Sequence, residues 1–241
     1  MKVQSELHIE HDEGSTTPIR RGPPNRMNDL TYREWMRFQK SFFEYKSDQE
    51  LIVQAIQFFT KAIWPDGEPS RSLILGARGF NSGTIPAPRI IESEPYFATL
   101  GALVGRAIEL SERKVNQDFV IVDLRPHTHQ INELSVFLGG SSNHLFSALR
   151  KMLRPARYCA ILCGTEGDSP NGFPIPWAVA LASRGVMKLR DEKIALCPSE
   201  NSEFYCLFLQ ADDDERTEVL WHPHLLNMPR YPLSEPTWIL P

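Results

Sequence analysis

The residues best suited to chemistry stand at the end of an apolar run, Phe119-Val-Ile-Val-Asp123, and in the loop after it, Leu124-Arg-Pro-His-Thr128. Asp123 can accept a hydrogen bond from an amine. Arg125 has two readings: a fork of donors suited to phosphate, or an outward side chain paired with an acid such as Glu133. Pro126 and His127 complete this candidate catalytic group. A second group follows the short apolar run 72–76: in Gly76-Ala-Arg-Gly-Phe-Asn-Ser-Gly83, residues Gly76, Gly79, Asn81 and Gly83 are candidate cofactor contacts, because glycine lets backbone approach a ligand closely. The G-x-G-x-x-G spacing is absent, and Pro86 and Pro88 leave little room for a following helix. Glu92 or Glu94 is placed to bind a ribose hydroxyl, with plain surface carboxylates as the alternative. His127 and His129 have no Glu or Cys partner at ligand spacing, so no metal site is expected.

Positioning these groups requires strands buried on both faces. Runs 119–123 and 158–164 lack polar alternation, which is the habit of parallel strands covered by helices, and the carboxyl ends of such strands are where open α/β sheets place their chemistry. Helices are expected from Asn28 through Phe43, with Thr31 and Glu34 at capping-box spacing and Trp35, Phe38, Phe42 and Phe43 on one side. Others are expected from Asp48 as cap to about Ala62, from Pro95 to Glu112 with Gly101 and Gly105 packed on the sheet, over 145–153, and over 175–182 closed by Gly185. Arg89 to Glu92 is a strand, residues 157–164 another, and 186–197 with 203–210 an antiparallel hairpin. The expected class is α/β with a mostly parallel central sheet, helices on both faces and a C-terminal antiparallel hairpin.

With 241 residues, 41% hydrophobic and 23% charged, the chain suits one domain. Residues 1–27 read as a flexible arm, 28–211 as the domain, and 212–241 as an acidic and Pro-rich tail. A net charge of -4 argues against coating nucleic acid by charge alone. A local basic face remains, and Arg20, Arg21, Arg26, Arg33, Arg37 and Lys40 are the candidate nucleic-acid contacts. The four Cys lie in apolar segments without zinc spacing. With no signal peptide and no membrane span, they read as reduced core residues of a cytoplasmic protein.

The stretch Asn25-Arg-Met-Asn-Asp-Leu-Thr-Tyr-Arg-Glu-Trp-Met-Arg-Phe-Gln-Lys-Ser41 resembles the N-D-L-x-x-x-E-W-x-x-F-x-K-S segment of DNA amino-methyltransferases, which methylate adenine N6 or cytosine N4. In the same order, Phe58-Phe-Thr-Lys61, residues 148–164 and residues 202–208 resemble the segment before the cofactor strand, the "K-P-G-G-Y, buried strand, G" passage and the last hairpin strand. The likeness covers roughly residues 24–210. It implies a Rossmann-like methyltransferase fold, S-adenosylmethionine as cofactor, and DNA as partner. Where the family has D-P-F-x-G-x-G-T, this chain has Leu75-Gly-Ala-Arg-Gly-Phe-Asn-Ser-Gly-Thr84. Where the family has D/N/S-P-P-Y/F/W, it has Asp123-Leu-Arg-Pro-His127.

Three functions follow. The first is a methyltransferase-like subunit, catalytically degenerate, that binds DNA or partners other subunits of a modification, restriction or phage-defence complex. The second is an active S-adenosylmethionine-dependent DNA amino-methyltransferase using Asp123 for the amine. The third is a different nucleotide-handling enzyme with Arg78, Arg125 and His127 facing a phosphate.

Overall fold

A computed structural model describes residues 40–86, 88–94, 96–113, 115–130, 144–164, 175–199 and 202–211. Its centre is a seven-stranded sheet: β1 (Phe42–Glu44), β2 (Arg71–Leu75), β3 (Ile90–Glu94), β4 (Gln117–Asp123), β5 (Leu153–Gly164), β6 (Met187–Cys197) and β7 (Ser202–Ala211). The spatial order is β1-β6-β7-β5-β4-β2-β3. β3, β2, β4 and β5 run parallel. β7 is antiparallel to both β5 and β6, and β1 joins β6 in parallel. The described helices are α1 (Asp48–Phe59), α2 (Leu100–Glu112), α3 (His144–Met152) and α4 (Ile175–Ser183). This is the α/β, mostly parallel sheet with a C-terminal antiparallel hairpin that the apolar runs imply.

The two faces are covered unequally. Leu51, Ile52, Ala55, Ile56 and Phe59 of α1 pack on Ile74, Phe119, Ile121, Ala160 and Phe208. On the opposite face α2, α3 and α4 enclose Leu73, Leu75, Val120, Val122, Ile161 and Leu207. Every residue of β4 is buried, because it has helices on both sides. The Phe59 ring lies 4.8 Å from both Phe119 and Phe208. All four cysteines are buried and unbridged.

Several boundaries differ from the sequence reading, each for a local reason. Phe42–Glu44 is not the end of a helix but an edge strand, in register Phe42↔Ile194, and its flanks join β6 through Ile194 N–H to Ser41 C=O (2.7 Å) and Tyr45 N–H to Leu196 C=O (3.0 Å). Phe42 remains 56% exposed. The rest of that expected helix lies outside the described residues. α1 is capped by Ser47, whose hydroxyl accepts from Glu50 N–H, leaving Asp48 in the first turn, where the helix dipole favours a carboxylate. It ends at Phe59, where Thr60 turns extended and its hydroxyl donates to the Ile56 carbonyl (2.7 Å).

α2 begins at Leu100, not at Pro95, because Thr99 caps it through Ala102 N–H (3.2 Å). Gly101 and Gly105 lie on its exposed side and do not pack on the sheet. β5 starts at Leu153, immediately after α3, and residues 154–157 bulge out between the pairs Gln117↔Leu153 and Phe119↔Tyr158. Ala156 there has φ +58. The arm, the loop 165–172 and the tail 212–241 lie outside the described residues.

Candidate active site

The chain moves from β2 outward to β3, then back past β2 to β4. This reversal opens a crevice at the carboxyl ends of β2 and β4, the position where open α/β sheets bind ligands. Gly76 and Asp123 meet there. Gly76 is buried at φ +84, and a Cβ on it would sit 3.1 Å from the Asp123 carbonyl oxygen and 3.3 Å from Leu103 Cδ1. Its N–H donates to the Glu94 carbonyl (3.3 Å), which joins β2, β3 and β4 at one rim.

Asp123 is nearly enclosed, and Arg125 holds both of its carboxylate oxygens. Oδ1 accepts from the Arg125 backbone N–H (3.1 Å) and Nε (2.9 Å), and Oδ2 accepts from Nη2 (2.7 Å). The same guanidinium reaches across to α1, donating from Nη1 and Nη2 to the two oxygens of Asp48 (2.9 and 2.6 Å). Its Cζ lies 4.2 Å from the centre of the Phe204 ring. Burial by itself would lower the guanidinium pKa, but the hydrogen bonds to Asp123 and Asp48 outweigh it and raise the pKa. Arg125 therefore has acidic partners, as one reading supposed, but they are Asp48 and Asp123 and not Glu133, which lies outside the described residues.

The glycine-bearing loop after β2 is not followed by an α-helix. Its one helical turn is a 3-10 segment, Ser82–Thr84, capped by Asn81, whose side chain accepts from Gly83 N–H (3.0 Å). Gln49 of α1 grips this loop: its Oε1 accepts from Asn81 N–H (2.8 Å), and its Nε2 donates to the Asn81 carbonyl (3.0 Å) and to the Thr84 hydroxyl. Asn81 and Gly83 are thus spent on the loop's own geometry. Gly79 is exposed at φ +64 with open space around it.

Glu94 ends β3 at the rim, yet its carboxylate is engaged by Arg106 of α2 (2.6 Å), which also meets Glu109 (2.9 Å). The hydrogen bond to Glu94, then that to Glu109, raise the Arg106 pKa. Glu92 stands two residues earlier, opposite Leu73 and away from the rim.

The loop after β4 forms a 3-10 turn, Arg125–Gln130. Leu124 N–H continues the ladder to Leu162 C=O (2.8 Å), and Thr128 donates to the Arg125 carbonyl (2.7 Å). Pro126 is partly buried in this turn. His127 is buried, its ring parallel to that of Tyr96 at 6.0 Å, and the Arg78 guanidinium lies 3.9 Å from the Tyr96 centroid. The His129 side chain lies outside the description. Among the described residues no group of three or more His, Cys, Asp or Glu side chains has metal-holding geometry.

For a sulfonium nucleoside cofactor, the backbone niche at Gly76 fits and the surrounding groups do not. Glu94, the acid that ends β3 beside that niche, is paired with Arg106. The amino end of α1 beside the crevice already carries Asp48, and the exposed Arg78 adds a positive charge to the loop after β2. Of the nucleic-acid candidates, Lys40 is exposed just before β1; Arg20, Arg21, Arg26, Arg33 and Arg37 lie outside the described residues. Sequence reasoning missed Asp48, Gln49, Tyr96, Arg106 and Phe204. Asp48 and Gln49 carried a signal, since polar residues in a helix's first turn face the rim that the helix abuts.

No family model matches the chain, and no curated protein matches it. Several of the solved structures that resemble it are named as methyltransferases. TTHA0409 of Thermus thermophilus, a provisionally assigned DNA modification methylase, is 14% identical with TM-score 0.33, over 66% of this chain and 60% of that one. TrmN from Thermus thermophilus is 12% identical with TM-score 0.39, over 59% and 44%. The 1,6-didemethyltoxoflavin-N1-methyltransferase of Burkholderia thailandensis, solved with S-adenosylhomocysteine, is 18% identical with TM-score 0.40, over 61% and 73%. The chain spans about 60% of the length of TTHA0409. In the sheet itself, β7 lies antiparallel between β5 and β6, which run in the same direction as each other. Among the described residues no helix is long and apolar enough to cross a membrane.

Proposed function

We propose that this chain is a DNA-methyltransferase-like subunit that has lost methyl transfer and acts by binding DNA, or by supporting an active partner within a DNA modification, restriction or phage-defence complex. One observation carries this reading: Arg125 occupies both carboxylate oxygens of Asp123. Arg125 thereby takes three of the roughly four acceptor positions of this carboxylate, both on Oδ1 and one on Oδ2, which leaves little of it to receive an incoming amine. The arm and basic face (Arg20, Arg21, Arg26, Arg33, Arg37, Lys40) supply the DNA contacts in this reading, with residues 1–27 and 212–241 outside the domain and the whole acting in the cytoplasm.

The test is to incubate the purified chain with tritiated S-adenosylmethionine and duplex or single-stranded oligonucleotides. No transfer is expected; label in the DNA ends the proposal. A second reading, an active methyltransferase with atypical motifs, draws on the contact between Gly76 and Asp123 at the crevice. It requires Arg125 to swing away. A rise in melting temperature with S-adenosylmethionine, which any ligand confined to the folded state produces, would favour it; the first reading expects none.

A further inference from the structure

The amino end of the sheet, about 17 Å along β4 from Asp123, carries a second charged surface. Residues 154–157 bulge out of β5 around Ala156, whose positive φ is strained for a residue with a Cβ. The bulge presents Arg154 and Arg157 to one fully buried acid, Asp118. Asp118 Oδ2 accepts from Arg71 N–H at 2.9 Å, while Oδ1 lies 3.4 Å from Arg154 and 3.6 Å from Arg157. Those last contacts are longer than charge-assisted hydrogen bonds of about 2.7–2.9 Å. Arg157 Nε is buried without a hydrogen bond, and its guanidinium rests 3.9 Å above the Trp64 ring. One carboxylate is thus spread over two forks with unused donor capacity.

More cations adjoin the bulge. Arg150 and Lys151 close α3 just before β5. Gln210 ties the bulge to β6, donating to the Ala156 carbonyl (3.0 Å) and accepting from Arg190 (2.6 Å), with Lys188 in register opposite it. The nearby Asp191 is already paired with Lys193 (2.6 Å). In a chain of net charge -4, so local a concentration of arginine beside an aromatic ring suits a string of phosphates.

We propose that this surface binds the phosphodiester backbone of nucleic acid. The proposal is independent of whether the crevice at Asp123 is active, so methyl transfer by the wild type leaves it untouched. The test uses the full chain and fluorescence anisotropy with a labelled DNA duplex of arbitrary sequence, about 30 base pairs long, across roughly 50–200 mM salt. The double variant Arg150→Glu/Lys151→Glu spares Asp118 and therefore folding; it weakens binding on the order of tenfold and lowers the salt slope by about 2. The site is overturned if the chain does not bind duplex, if charge reversal leaves affinity and slope unchanged, or if phosphatidylserine vesicles bind where DNA does not.

Discussion

Arg125 and Asp123 are two residues apart in sequence and share three hydrogen bonds, yet the pair is completed by a third residue, Asp48, from the first turn of α1. The two carboxylates converge on one guanidinium at the edge of the core. Arg125→Ala strands the enclosed Asp123 beside Asp48 and is expected to cost about 3–5 kcal/mol, as loss of one partner in a buried ion pair does. Arg125→Ala combined with Asp123→Asn should recover part of that loss. Urea unfolding midpoints measure both; a single variant within about 1 kcal/mol of wild type would show that the clamp does not support the fold.

Ala156 invites a stabilising change. Its φ of +58 costs a side chain about 1–2 kcal/mol, whereas glycine at that angle loses only its own entropy, about 0.5–1 kcal/mol. Ala156→Gly should therefore stabilise by about 0.5–1 kcal/mol. Ala156→Val should destabilise. Thermal melts of the pair decide this, and a lower melting point for the glycine variant contradicts it.

Gly76 and Gly79 both have positive φ but differ in surroundings. Gly79→Ala meets open space and is expected to cost about 1 kcal/mol. Gly76→Ala adds a clash with the Asp123 carbonyl and Leu103, and should cost about twice as much or more. Equal losses would mean that the crevice tolerates a methyl group.

Burial pushes the thiols of Cys159, Cys163 and Cys206 well above their usual range; it does the same for the Tyr45 hydroxyl, to which Asp48 adds. A group with a raised folded pKa retains its proton after the unfolded chain has lost it. Stability is thus full below the unfolded thiol value, near about 8.5, and falls as pH climbs past it, by up to about 1.4 kcal/mol per pH unit for each such group. Denaturant melts from about pH 7.5 to about pH 10 should show this decline. The same three thiols should resist Ellman's reagent at about pH 8 until denaturant is added, and prompt reaction in the native protein would show that they are not enclosed.

What the sequence makes legible follows the range of the forces involved. The core strand Phe119 to Val122 is readable because burial on both faces leaves no polar alternation. The hairpin of β6 and β7 is readable because its turn is local. The end of the expected N-terminal helix is misread because Phe42 keeps helical spacing with Phe38, while its conformation is set by β6, far along the chain. Asp123 and Gly76 do share one rim, as the strand ends imply. The state of Asp123 is hidden, because the Asp48 contact joins residues 77 positions apart. Glu94 looks like a ribose acid until α2 supplies Arg106. Ala156 gives no signal, since only backbone geometry reveals a left-handed alanine.

The parallel pairing of β1 with β6 joins Phe42 to Ile194, a loop of about 150 residues whose closure is entropically costly and must await nearly the whole chain. As a three-residue strand paired on one side only, β1 should have amide protons among the first of the described strands to trade with solvent. Among the described strands β1 is then an easily peeled one, and a force applied to it can loosen one flank without disturbing the strands around Asp123.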